Sequence, residues 1–320
     1  MTSLHQIPFW KHIQNSENIL LAGAGGGFDI YSGIPIYQSL LAAGKQVVLA
    51  NYSFTWLAET SAKEVFPHCY EVRMSDVDRS GRNYFPEKHL CAFFATRGKN
   101  LTVYGFQRLG VRPILNAYKH IIKQHNIDTI ILIDGGTDSL MFGDEEGLGT
   151  PVEDICSMAA AYRTGVKKQF LLSIGFGIDH YHGVSHYRFL ENLAELIKDG
   201  GYLGAIHLLP EMEEAKVFME LVAYANKHMP ARPSIVANSI ASAIDGRYGD
   251  YHRTTRTLGS ELWINPLMHI YWAFDLRKVI QKVKYYEYIK NSQTVAEISA
   301  GILTYQRQLK VVREKRRLPI

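Results

Sequence analysis

Three stretches of this sequence set chemically capable side chains beside glycines. One runs from Asp134-Gly135-Gly136-Thr137-Asp138 through Asp144, Glu145 and Glu146, five carboxylates in 13 residues. Carboxylates so close together repel one another. Such a run either faces water or meets a cation, a ribose hydroxyl or a substrate amine. Asp134 and Asp138, next to the glycines, are read as site residues, with Asp134 to Thr137 against a cofactor and Asp138 catalytic; Asp144 is balanced between the two readings, and Glu145 and Glu146 are expected to be solvated.

A second stretch, Gly175 to His186, carries Asp179, His180, His182 and His186. Imidazole titrates near neutral pH, so Asp179 with His180 or His182 is expected to handle a proton. Asp179, His180, His182 and His186 could instead supply metal ligands, but the spacing is not His-Glu-x-x-His, and the metal is left unassigned. The third stretch is Gly23-Ala24-Gly25-Gly26-Gly27-Phe28-Asp29. Small residues between a strand and a helix let backbone N–H groups approach a phosphate, so Gly23, Gly25, Gly26, Gly27 and Asp29 are expected to contact a cofactor. Strict G-x-G-x-x-G spacing is not met, and no Lys-Ser/Thr pair follows to make a P-loop. The competing reading is a tight turn without a ligand.

Asn51 and Asn238 end apolar runs and are weaker candidates for reading a ligand edge. Asp245, Arg247, Asp250, His252 and Arg253 are more simply a surface loop. Trp263, Tyr271, Trp272 and Phe274 recur at near-helical spacing, which suggests core or a homo-oligomer interface.

The elements that position these loops follow from the hydrophobic pattern. Apolar runs bounded by glycines alternate with segments of helical period, the pattern of repeated βαβ units. Strands are expected near 18–22, 46–50, 101–105, 129–133, 169–174, 202–207 and 234–237, and helices near 34–43, 113–125, 151–163, 187–198 and 211–228. The fold class is therefore α/β: a Rossmann-like, mostly parallel sheet with helices on both faces, a three-layer sandwich. A single domain over 1–320 is expected, with a lid insertion at about 55–100 and an irregular or helical portion from about 239. Loops at the carboxyl ends of such strands carry the site.

Composition narrows the class. The chain has 320 residues with 47% hydrophobic content, enough for a large core. No apolar run approaches the roughly 18 residues of a membrane span, so a soluble, cytoplasmic protein with no membrane partner is expected. Three scattered cysteines, Cys69, Cys91 and Cys156, indicate neither a disulfide framework nor a thiolate zinc site. The net charge of +4 is accounted for by Lys310, Arg313, Lys315, Arg316 and Arg317 set against Glu314, read as a solvated tail. Basic residues without interleaved aromatics argue against nucleic acid.

Gly23-Ala24-Gly25 followed by Ser32-Gly33-Ile34-Pro35-Ile36-Tyr37-Gln38-Ser39 resembles the signature that begins the NAD site of sirtuins. The likeness implies an NAD-consuming hydrolase, although Gln38 stands where that signature has arginine and its Gln-Asn-x-Asp motif is absent. Gly23 to Asp29, Asp134 to Pro151 and the loop after Gly175 are together similar to a bacterial and archaeal family catalogued as a domain of unknown function. That resemblance implies a Rossmann-like fold and brings no activity. The expected function is an enzyme that hydrolyses or transfers a group on a nucleotide-like, phosphate-bearing small molecule, with an NAD-like nucleotide or a divalent cation as cofactor. A non-catalytic ligand-binding scaffold is the other alternative.

Overall fold

Every residue of Thr129–Asp134 is buried, which a strand achieves with partners on both edges and helices over both faces. That is its position in the computed structural model of the protein, which describes residues 5–318. The strands in chain order are β1 (Asn18–Gly23), β2 (Gln46–Tyr52), β3 (Lys63–Phe66), β4 (Cys69–Val72), β5 (Val103–Phe106), β6 (Thr129–Asp134), β7 (Lys168–Ser173), β8 (Tyr202–His207), β9 (Gly249–Asp250), β10 (Trp263–Ile264) and β11 (Ile270–Asp275). Nine of them form one sheet in the order β3-β4-β5-β2-β1-β6-β7-β11-β8, while β9 and β10 pair separately. Pairing is parallel from β5 through β2, β1 and β6 to β7. The margins are antiparallel, through β4 with β3 on one side and β11 on the other.

The alternation of side chains along each strand divides the core between the two faces. In β1, Leu20 and Ala22 join a cluster with Ile114, Tyr118, Ile155, Phe189 and Ile298. Ile19 and Leu21 join the opposite cluster with Ile34, Leu40, Leu90, Phe218 and Ile240. Helices Val111–His125, Pro151–Tyr162, His186–Lys198 and Val295–Arg307 therefore cover one face, and Ile34–Ala42, Pro86–Ala95, Glu213–His228 and Ile235–Ile244 the other. The result is the expected Rossmann-like three-layer sandwich. Among the described residues, no helix is long and apolar enough to cross a membrane.

Chain order explains where a crevice forms. From β1 the chain builds outward through β2 to β5, then crosses to the other side of β1 for β6 and continues to β7. The reversal falls between β1 and β6. Loops leaving their carboxyl ends diverge there and open a crevice, the usual ligand position in open α/β sheets.

Three expectations are corrected. The strand expected at 234–237 is the start of the Ile235–Ile244 helix, with Ser234 Oγ accepting from the Ala237 N–H at 3.0 Å. A four-residue apolar run does not distinguish strand from helix, and here burial continues at helical spacing through Ala237, Ile240, Ala241 and Ile244. The place in the sheet goes to β11, so Tyr271, Trp272 and Phe274, read at near-helical spacing, lie on a strand. The basic C-terminal segment is not simply solvated. Arg313 pairs with Asp144, Glu145 and Glu191, and Arg188 donates to the Glu314 carbonyl.

Residues 55–100 contribute β3 and β4 to one edge of the sheet and a helix, Pro86–Ala95, to one face. Tyr84 from this segment, and Phe54 just before it, pack on the glycine turn.

Candidate functional site

β1 ends at Gly23 and passes into the glycine turn, and Asp29 opens the four-residue helix Asp29–Ser32. The Asp29 carboxylate folds back on the turn: Oδ2 accepts the Gly25 N–H at 2.6 Å, with the amides of Gly26 and Gly135 also directed to it. Gly27 N–H is used by the Tyr52 carbonyl at 3.0 Å. The nest in which a phosphate was expected thus already holds a carboxylate from the chain. Gly26 has φ +93 and Gly27 φ +60, a left-handed backbone that glycine adopts without strain.

β6 delivers Asp134 at its last position and Asp138 four residues on, in a short 3-10 turn. Ser139 Oγ donates to Asp134 Oδ2. Asp138 Oδ2 accepts from the Thr150 N–H at 2.8 Å and its hydroxyl at 3.2 Å. That hydroxyl therefore holds Asp138 and does not cap the helix that Pro151 begins. From the loop after β7, Asp179 Oδ2 accepts the Thr137 N–H at 2.6 Å. Gly136 admits this approach, since a Cβ there would lie 2.8 Å from Asp179 Oδ2 and 3.2 Å from Asp134 Oδ1. The β1, β6 and β7 loops thus meet at the switch point.

The fourth contributor was missed from sequence. Asp154 lies in the first turn of the Pro151–Tyr162 helix, where an acidic residue ordinarily complements the helix dipole. Here it turns into the cluster: it is 4% exposed, and its Oδ1 has no hydrogen-bond partner. A Cβ on Gly25 would stand 2.6 Å from that Oδ1 and 2.8 Å from Asp29 Oδ2, so both oxygens face one point. Ligand atoms of Asp29, Asp134 and Asp154 all lie within 4.8 Å of one another, the spacing of groups that can share a metal ion. The available signal was positional: a helix that follows β6 directs its first turn toward the carboxyl edge of the sheet.

The electrostatics follow from this crowding. Burial, opposed by the Gly25 amide and reinforced by the charge of Asp138, pushes Asp29 up to about 7. Asp134, Asp154 and Asp179 rise well above the carboxylate range, first through burial and then through their acidic neighbours. Burial also raises Asp138, against the donors of Thr150 and the nearby His182. Among the described residues no Lys or Arg forms an ion pair with any of the five. Asp29 and Gly25 keep partial solvent access and mark the mouth.

The sequence profile of a family described as Protein of unknown function (DUF1152) matches residues 61–307. The chain belongs to that family. Asp134, Asp138, Asp154 and Asp179 of this DUF1152 protein lie within the matched residues, and Asp29 precedes them. No curated protein and no solved structure matches the chain.

The remaining candidates of the DUF1152 chain fall outside the cluster or beneath it. Asn51 is fully buried and donates to the Gly27 carbonyl at 2.8 Å and to Glu87 Oε1 at 2.7 Å. Through its amide nitrogen it braces the glycine turn from below, while its Oδ1 has no hydrogen-bond partner. Gly23 belongs to the same contact, because a Cβ there would meet Asn51 Oδ1 at 2.2 Å. Asn238 sits within a helix and exchanges hydrogen bonds with Asn226 at 2.8 and 3.0 Å. His180 and His182 are exposed, and of these His182 is the one whose charge reaches Asp138. His186 packs on Phe176 and Trp263, and burial lowers it to about 4. Asp245 pairs with Arg253, and Asp250 with His252. Glu145, expected in solvent, is 2% exposed and held by Arg313, Asn192 and the Phe142 and Gly143 amides. The three cysteines are buried, and burial pushes Cys69 and Cys91 up to about 12.

Proposed function

We propose that this protein is an enzyme that holds a divalent cation among Asp29, Asp134 and Asp154 and acts through it on a nucleotide-like, phosphate-bearing small molecule, by hydrolysis or group transfer. The observation that carries the reading is Asp154 Oδ1, a buried carboxylate oxygen without a partner, aimed at the point that Asp29 Oδ2 also faces. Leaving such an oxygen unsatisfied costs on the order of 1–3 kcal/mol or more, and a cation removes that cost together with the mutual repulsion. Hard cations such as Mg²⁺ take carboxylate oxygens and retain sites for water and substrate phosphate.

Direct anion binding is disfavoured here, because the turn amides are engaged and the cluster is acidic. A bound cation supplies charge neutralisation and a Lewis acid for a phosphoryl oxygen. The chain supplies the rest. Asp29, Asp134 and Asp154 ligate, while the Gly25 and Thr137 amides hold Asp29 and Asp179 in place. Asp138, oriented by Thr150 and influenced by the exposed His182, accepts the proton of an attacking water or hydroxyl as its oxygen bonds to phosphorus and the leaving-group P–O bond breaks. A raised pKa suits a general base that works near neutral pH.

Thermal melting with EDTA, Mg²⁺, Mn²⁺, Ca²⁺ or Zn²⁺ tests the cation site. Saturation at 100 times Kd adds about 2.7 kcal/mol, which raises Tm by about 4 °C in a chain of this length. Asp154→Asn is expected to abolish that shift. Absence of a shift with every one of these ions would overturn the reading.

A further inference from the structure

Beside the aspartate cluster, the loops after β2 and β5 enclose a groove of about 230 Å³ lined by residues that include Ser53, Phe54, Trp56, Glu59, Arg108 and Leu109. We propose that this groove seats the planar base of a nucleotide whose phosphate end lies at the aspartate cluster; the direction assigned to the ligand rests on the cation-site reading above.

Phe54 is 39% and Trp56 52% exposed, so two large aromatic rings face water in one concavity. The groove and the cluster share a wall. Phe54 lies over the glycine turn closely enough that a Cβ on Gly26 or Gly27 would come within 3.0 Å of its ring, and the other side of that turn meets Asp29 and Asp154. Arg108 links the same two places: its guanidinium stands 5.2 Å from the Phe54 ring centroid and pairs with Glu153, the neighbour of Asp154. β2 and β5 are one and two strands from β1, about 5 and 10 Å along the sheet edge, which places the groove a sugar's reach to the side of the cation.

The chemistry of the lining selects the occupant. Arg82 covers Trp56 at 3.5 Å from its centroid and fixes the ring, leaving the remaining exposed aromatic surface for stacking. Nucleobases stack on such rings whatever their sequence of donors and acceptors. Arg108, paired with Glu153, brings a guanidinium to the wall between the groove and the acidic cluster. Glu59, exposed in the groove, accepts from a ribose hydroxyl or an exocyclic amine.

The test is calorimetric titration and tryptophan fluorescence with AMP, ribose 5-phosphate and adenosine, each in Mn²⁺ and in EDTA. AMP is expected to bind about tenfold or more tighter than ribose 5-phosphate, and Phe54→Leu or Trp56→Leu to weaken AMP about fivefold or more, the range of one lost stacking ring. Ribose 5-phosphate affinity is expected to stay unchanged in both variants. Adenosine is expected to quench fluorescence equally in Mn²⁺ and in EDTA, and not in Trp56→Leu, whose exposed position leaves Tm unaltered. Equal affinity for AMP and ribose 5-phosphate, or wild-type AMP binding in both variants, would overturn the proposal. If adenosine binds as described but AMP shows no Mn²⁺ dependence, the groove stands and the cation reading fails. If ribose 5-phosphate binds with Mn²⁺ while adenosine does not bind, the groove proposal fails and the cation reading stands.

Discussion

Two groups of carboxylates, which come within six residues of each other at Asp138 and Asp144, have opposite surroundings. Asp144, Glu145 and Glu191 surround Arg313, whose guanidinium reaches Asp144 Oδ1 at 2.7 Å and Glu191 Oε2 at 2.6 Å, with Lys284 also on Asp144. Burial alone would raise Asp144 and Glu191, but the hydrogen bonds and charge of these cations override it and hold both below the usual carboxylate range. Asp29, Asp134, Asp138, Asp154 and Asp179 have no Lys or Arg partner among the described residues and are all raised. The first group is complete and ties the C-terminal segment to the body of the protein. The second has no neutralising cation among the described residues, and perturbed carboxylates of this kind cluster at functional sites.

The contrast can be broken most severely from the complete side. Arg313→Ala leaves Glu145 and Asp144 without their shared cation, and breaking a buried pair from one side costs about 3 kcal/mol or more. The Tm of the metal-free protein is expected to fall by about 4 °C or more for a chain of this length. An unchanged melting curve would mean that the docked C-terminal segment contributes nothing to stability.

On the incomplete side the sign reverses. Asp154→Asn removes one member of a repelling set, so the EDTA-treated variant is expected to melt higher than wild type, by an amount on the order of 1 kcal/mol, while losing its response to cations. If it instead melts lower in EDTA, Asp154 has a structural role and the comparison fails.

The finest expected effect is in pH dependence. A carboxylate raised on folding, such as Asp29 at about 7, contributes stability below its unfolded value of 3.8 that is lost as pH climbs through about 7. Asp144 and Glu191, lowered on folding, contribute stability above their unfolded values that is lost as pH falls below them. In EDTA, Tm is therefore expected to decline between about pH 4 and 7, and saturating Mn²⁺ is expected to flatten that decline because the cation replaces the protons. A Tm in EDTA that is level across this window would contradict the electrostatic difference.

Much of this architecture was legible because buried parallel strands have few sequence solutions. Asn18–Gly23, Gln46–Tyr52, Thr129–Asp134 and Tyr202–His207 each form an apolar run near a turn residue, and each is a strand within two residues of its expected limits. The short run at Ser234 was ambiguous because strand and helix bury such a segment equally well. β11 was obscured because an antiparallel strand added late in the chain lacks the βαβ rhythm. Within the candidate site, Asp29, Asp134, Asp138 and Asp179 stood out by following strands into glycine-rich loops. Asp154 did not, because an acidic first turn has an ordinary local explanation.

Sequence alone thus determined the kind of fold and the edge on which polar loops gather, since both follow from periodicities of a few residues. Tertiary structure decided which carboxylates are paired with cations and which face one another. That distinction depends on partners up to 169 residues away in the chain, as between Asp144 and Arg313, and no local pattern encodes a contact at that separation.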